Sequence, residues 1–178
     1  MAPIKGPDLL LSAFERCSAQ RPDWDLVLAG PDDGMLAELR ARVATLGLNN
    51  RVHFVGFLDE TAKSDALAAS DLVVVPSRRE AMSIVVLEAA VAGRPVLITD
   101  QCGVPDVADS GGGGVVEPTA DALAAGLLEA TRDRAALASR GEMWRQEAVR
   151  KYAWSRVAQL YIDVFSVIVK KRRGRDSR

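Results

Sequence analysis

Two acidic residues, Glu80 and Glu88, stand eight positions apart in the stretch "SRREAMSIVVLEAAVAGRPVLITD", residues 77–100. Residues 71–100 read as strand, loop, helix and strand, with "SRREAM" as the loop and the helix opening after Ser83. Ser83 suits an N-cap, which leaves the amides of Ile84, Val85 and Val86 free at the helix start. Such an end attracts anions, phosphate above all. Glu80 lies just before it, and Glu88 lies about 7 Å further along the axis than Ser83. A phosphate on the amides and a sugar hydroxyl pair on the Glu88 carboxylate together fit a nucleoside diphosphate.

Glu88 also poses a problem of its own. The helix around it is apolar on every side, and no basic residue lies between Arg79 and Arg94. A helix apolar all round is normally buried, and a buried carboxylate without a partner costs several kcal/mol or gives up its charge. From the spacing alone two partners are open: the hydroxyl pair of a ribose, or a distant Arg or Lys in a structural bridge.

The elements that position these residues follow from hydropathy. Strand-like apolar runs cover 25–30, 52–57, 71–77, 95–100 and 114–116. The middle ones are continuously apolar, as strands covered on both faces are. Helical periodicity covers 7–21, 34–46, 61–69, 83–92, 119–131, 132–152 and 154–170, the first carrying Leu9, Leu10, Ala13, Phe14 and Cys17 on one stripe. The alternation predicts an α/β fold with a parallel, doubly wound, Rossmann-like sheet in a single domain over 1–169. "LAGPDDGML" spaces its glycines as neither GxGxxG nor a phosphate loop, and "SGGGG" (110–114) reads as a turn into the last strand.

Composition narrows the function classes. With 48% hydrophobic residues among 178, the chain is globular rather than disordered. No apolar run has the roughly 20 residues of a membrane span, and the start "MAPIKGPDLLL" has no signal-peptide pattern. Cys17 and Cys102 make neither a disulfide framework nor a metal site, and are expected to be reduced thiols in a cytoplasmic protein. The net charge of −1 hides an asymmetry: the tail 170–178, "KKRRGRDSR", holds six basic residues and one acidic, against 17 basic and 23 acidic before it. The acidic body argues against nucleic acid, while the tail offers weak contact with an anionic membrane at the inner face. His53, the only histidine, falls mid-strand and reads as a filler.

Beyond the glutamate pair, "KGPDLLLSAF", "WDLVLAGPDDGMLAELRARVATLGLNNRVHFVGF", "ALAASDLVVVPS" and "ITDQCGVPDVADSGGGGVVEPTADALAAGL" follow one another in a recognisable order. Together with the E-x7-E run they resemble the C-terminal, donor-binding domain of retaining glycosyltransferases of the GT-B fold, family 4, the "group 1" set. The resemblance runs from Lys5 to about Val164. It implies a nucleotide diphosphate sugar as donor, with UDP the first expectation and GDP or ADP also in use, and no cofactor or metal. It further implies that Glu88 binds the ribose hydroxyls and that Glu80 is the catalytic carboxylate beside the donor sugar. The Ser83 end with the Ile84 and Val85 amides would face the diphosphate, Lys5 would neutralise it, and Gly56 and Phe57 would border the base.

The chain departs from that pattern at Ala81-Met82-Ser83, where glycines are usual, and more mildly at Cys102-Gly103-Val104-Pro105-Asp106. Those changes carry an alternative: a non-catalytic nucleotide-binding or partner module of the same fold. A different GT-B-like enzyme, such as a nucleotide-sugar epimerase, is a third reading that the E-x7-E run fits less well. The family's first strand would precede Lys5 and lie centrally in the sheet, and an N-terminal domain would supply the acceptor site. The sequence is therefore expected to be one half of an enzyme, completed by the same or a separate chain, and inactive alone. The last helix, from about residue 154, would cross to that domain. Its stripe of Val157, Leu160, Tyr161, Val164, Phe165 and Ile168 would otherwise be exposed, favouring self-association.

Overall fold

The structure, a computed structural model, describes residues 1–175, with side chains through Val169 and at Arg172. The remainder of the basic tail, 176–178, lies outside the described residues, and the charged side chains at 170, 171, 173 and 175 are likewise not described.

After a 3₁₀ turn at Pro3–Lys5, the order is α1 (Pro7–Ser18), β1 (Leu26–Ala29), α2 (Leu36–Thr45), β2 (Val52–Gly56), α3 (Glu60–Ala69), β3 (Val73–Val75) and α4 (Ile84–Val91). Then come β4 (Val96–Thr99), α5 (Asp106–Ser110), β5 (Gly113–Val116), α6 (Ala120–Ala130), α7 (Arg134–Tyr152) and α8 (Trp154–Arg175). Strands and helices alternate as the hydropathy requires. Most of their ends stay in place or move inward by one to three residues, because turn residues flank the apolar runs, while α3 and β5 begin one residue earlier and α8 continues past residue 170. The third strand shrinks most: Pro76 has no N–H to give a ladder. α5, only five residues long, is too short to show a helical period.

All strand pairs are parallel, but they form two sheets rather than the expected one: β1 with β2, and β3-β4-β5 with β4 in the centre. In a doubly wound order a further strand would sit between β1 and β3; without one there, neither facing edge makes a ladder. The halves are held together by helices. α1 and α6 pack on each other, and one core runs from Leu26 and Leu28 of β1 through Leu11 and Phe14 of α1 to Leu97 and Leu123. A second core joins β3 and β4 to α4 and α7, and at its centre is the fully buried Trp144, whose indole N–H donates to the Val86 carbonyl at 2.9 Å. Asp106, at the start of α5, pins the end of α7 by accepting from Lys151 and Tyr152. Burial, and next that bond, push the Tyr152 hydroxyl up to about 12.

α4 corrects one sequence expectation. It is apolar on every side but buried on only one: Val86, Ala89 and Ala90 face the core, while Ile84, Val85 and Val91 are exposed. Among the described residues, no helix is long and apolar enough to cross a membrane. α8 packs on α7 and leaves Leu160, Tyr161, Val164, Phe165 and Ile168 exposed.

Candidate functional site

The loop from Pro76 to Ser83 is built by contacts on both flanks. On one side it rests on the segment following β4. The Glu80 amide donates to the Gln101 carbonyl and the Ser83 amide to the Cys102 carbonyl, both at 2.9 Å. Beneath them the buried Thr99 hydroxyl donates to the Ser77 carbonyl at 2.5 Å, and the Cys102 thiol to that of Val75 at 3.4 Å. Gly103 is obligatory here: at φ +67° a Cβ would stand 2.0 Å from the Ala81 carbonyl oxygen.

On the other side the loop is tied to the chain's first residues. The Arg78 amide donates to the Ile4 carbonyl at 2.8 Å, and its guanidinium reaches the Pro3 carbonyl at 2.6 Å. The same guanidinium grips Asp8 bidentately, at 2.8 and 2.6 Å. That bond is the first cause holding the Asp8 carboxyl below the usual range. Gly6, at φ +66°, passes so close to β3 that a Cβ would meet the Pro76 carbonyl oxygen at 2.1 Å.

This clamp delivers Lys5 to Glu80, with Nζ donating to Oε1 at 2.9 Å. The Ser77 hydroxyl donates to the same oxygen at 2.5 Å. Burial pushes the Glu80 carboxyl upward, but the bonds from Lys5 and Ser77 outweigh it and hold the group below its ordinary value. Glu80 is thus a half-buried anion with a cation already on it.

Ser83 occupies the N-cap position of α4 as expected, yet its hydroxyl makes no capping bond. The side chain is buried instead. The Ser83 hydroxyl therefore leaves the first-turn amides uncapped, and the exposed Ile84 and Val85 flank them. One turn further on, the partner of Glu88 is Lys63 of α3, whose Nζ donates to Oε1 at 2.6 Å. Glu88 is only partly buried, its side chain 30% exposed, which removes the premise that it needs a deeply buried partner. Gly56 (φ +73°) ends β2 and the exposed Phe57 follows it, and α3 then carries the chain from them to the Lys63–Glu88 pair.

Of the residues singled out in the sequence, the structure brings Lys5 onto Glu80 and sets Ser83, Ile84, Val85 and Glu88 in order along one helix. Gly56 and Phe57 join them only through α3. Sequence reasoning missed Lys63, Arg78, Asp8 and Ser77. Arg78 and Ser77 were visible within "SRRE", but nothing links position 63 to position 88 until α3 is packed. His53 is half-exposed on β2, 4.0 Å from Asp25. Among the described residues no group of three or more His, Cys, Asp or Glu is placed to hold a metal.

Two cavities, of about 490 and about 370 Å³, lie elsewhere, one beside Arg21 and Arg132, the other between β5 and α6. Neither is lined by Lys5, Glu80, Lys63 or Glu88. The assignment of the site rests on the placement of its charged groups.

Residues 1–150 match the sequence family described as Glycosyl transferases group 1. The chain belongs to this family. Among similar group 1 proteins, the D-inositol 3-phosphate glycosyltransferase 2 of Catenulispora acidiphila is 35% identical over 185 residues, covering 97% of this chain and 42% of that protein. The GDP-mannose-dependent monoacylated alpha-(1-6)-phosphatidylinositol monomannoside mannosyltransferase of Corynebacterium glutamicum is 31% identical, with 86% and 42% covered. Among solved structures, HepE of Anabaena in complex with UDP and glucose superposes with a TM-score of 0.81 at 26% identity, covering 94% of this chain and 46% of that one. The fold is accordingly the Rossmann-like one of GT-B glycosyltransferases. The chain spans less than half the length of each of these three relatives.

Proposed function

We propose that this chain is the donor-binding half of a retaining glycosyltransferase, taking a nucleotide diphosphate sugar on the face formed by Lys5, Glu80 and α4. The observation that carries the reading is the placement of two lysine-paired carboxylates on either side of a helix start that no side chain caps. A diphosphate fits that start, where amide dipoles and the Lys5 ammonium stabilise negative charge as the bond to the sugar breaks. Glu88 is spaced to accept two ribose hydroxyl bonds, and Glu80 to face the donor sugar, its negative charge opposing the positive charge that develops at the anomeric carbon. Gly56 and Phe57 border the base.

The donor nucleoside is uridine, guanosine or adenosine. HepE, in complex with UDP and glucose, and the GDP-mannose-dependent relative support the first two. An acceptor-binding domain, in the same or a separate chain, completes the enzyme, and the relatives' greater length supports that division. The departure at Ala81-Met82-Ser83 does not by itself argue for a non-catalytic module, because none of these residues adopts the positive φ that glycine alone takes up freely.

Calorimetry with UDP, GDP and ADP on the chain and on Glu88→Ala tests the reading. Selective binding of one nucleotide, weakened at least tenfold in the variant, is the expected result. Binding that survives the substitution unchanged returns Glu88 to the structural bridge.

A further inference from the structure

We infer that Lys63 competes for the ribose seat: its ammonium holds Glu88 Oε1, and a ribose hydroxyl directed at that oxygen has to displace it. The inference rests on the reading of Glu88 as the ribose carboxylate, and it goes further by making nucleotide affinity depend on an intramolecular competitor.

Three observations carry it. The first is the contact itself: Lys63 Nζ lies 2.6 Å from Glu88 Oε1, the atom that a ribose hydroxyl would approach. An ammonium at that distance takes one of the carboxylate's roughly four lone-pair sites and competes with a hydroxyl directed at the same oxygen. The second is that the pair is only partly shielded, with side-chain exposures of 40% for Lys63 and 30% for Glu88, so water can take over the ammonium once it departs. The third is the way α3 is attached. None of its residues is fully buried, and Leu67, toward its far end, packs against the second core. Its far end is held by Arg94, whose guanidinium donates to the Ala68 carbonyl, while near its start Lys63 is the side chain that reaches across to α4. The amino end of α3 can therefore release Glu88 without opening a core.

The consequence is a population effect. The apparent affinity of a nucleotide is lowered by the fraction of molecules in which Glu88 is already taken. An exposed ion pair of this kind corresponds to about a two- to fivefold bias. Lys63 therefore weakens binding through Glu88, although a lysine near a diphosphate would ordinarily strengthen it by charge. Those two influences separate because only the first depends on Glu88.

The test is a double-mutant cycle on the 178-residue chain, using whichever of UDP, GDP and ADP binds it. Affinities are measured for the unaltered chain, Lys63→Met, Glu88→Gln and the double variant, with melting curves confirming that all four fold. Any long-range effect of the Lys63 charge on the phosphates appears in both backgrounds and cancels. The expected result is that Lys63→Met is about two- to fivefold more favourable to binding when Glu88 is present than when it is substituted. No coupling, or coupling of opposite sign, with Glu88→Gln still weakening binding, overturns the inference and leaves the ribose reading standing. If Glu88→Gln leaves affinity unchanged, or none of the three nucleotides binds any chain, the donor reading fails and the inference falls with it.

Discussion

Lys5 Nζ donates to Glu80 Oε1 across 2.9 Å, joining residues 75 positions apart at the mouth of a helix. The Glu80 side chain is 11% exposed and its backbone is tied to Gln101, whereas Lys5 is 57% exposed along its side chain and free to move. A bound diphosphate would draw the ammonium from the fixed carboxylate toward itself, because phosphate carries more charge than one carboxylate.

Lys5→Met is expected to weaken binding of a nucleoside diphosphate about tenfold while leaving binding of the matching nucleoside nearly unchanged. Titration of both ligands against both chains checks this. Equal losses for the two would mean that Lys5 acts through the loop and not on phosphate.

Acid should loosen the site in a definite window. Asp8 and Glu80 are both held below the ordinary carboxylate range: Asp8 first by Arg78, and Glu80 by Lys5 and Ser77 against the opposing effect of burial. Asp106 is lowered too, first by its bond from Lys151. A carboxyl whose folded pKa is depressed adds stability that is complete above its unfolded pKa of about 4 and disappears as pH falls through the lower folded value. Melting temperature is therefore expected to be flat with respect to these groups near neutrality and to fall below about pH 4.5. Asp8→Asn should reduce that acid-side slope. An unchanged slope would remove Asp8 from the account.

Two glycines of almost equal φ should respond differently to alanine. At Gly103 a Cβ would stand 2.0 Å from the Ala81 carbonyl oxygen, whereas at Gly93, also at φ +67°, nothing lies within 4 Å. Gly93→Ala is expected to cost about 1 kcal/mol, from the left-handed backbone alone. Gly103→Ala is expected to cost at least about 2 kcal/mol and to lose nucleotide binding, because the Ala81-Met82 segment must shift. Denaturant melts with a binding assay on both variants decide the matter.

How far the sequence foretells this arrangement depends on the range of the contact. Strand and helix order follows from local hydropathy, and Glu80, Ser83 and Glu88 share a local segment, so their order from the loop into α4 was legible. Burial of α4 was not: Ile84 and Val91 look like core residues in the sequence, yet they face outward because the core contacts only the Val86–Ala90 side. Glu88's partner was illegible for the same reason, since Lys63 reaches it only through the packing of α3. The division into two sheets was also beyond local reading, as pairing of β1 and β3 depends on what lies between them and not on their own composition.

α8 carries the remaining expectation. Leu160, Tyr161, Val164, Phe165 and Ile168 are each between 46% and 62% exposed, and the Tyr161 and Phe165 rings stack at 6.3 Å. Such a face favours association when nothing covers it. Sedimentation should show concentration-dependent dimers or larger species, and Phe165→Asp with Ile168→Asp should return a monomer. A monodisperse monomer at high concentration of the unaltered chain would count against it.

The most direct measurement is a ¹H–¹⁵N correlation titration of the chain with UDP, GDP and ADP. The account predicts that one nucleotide moves the amides of Ile84, Val85 and Val86 most, with smaller shifts at Gly56 and Phe57 and at Lys63. Shifts concentrated instead in the cavity between β5 and α6, around Gly113, Gly126 and Arg140, would contradict the assignment of the donor site to α4.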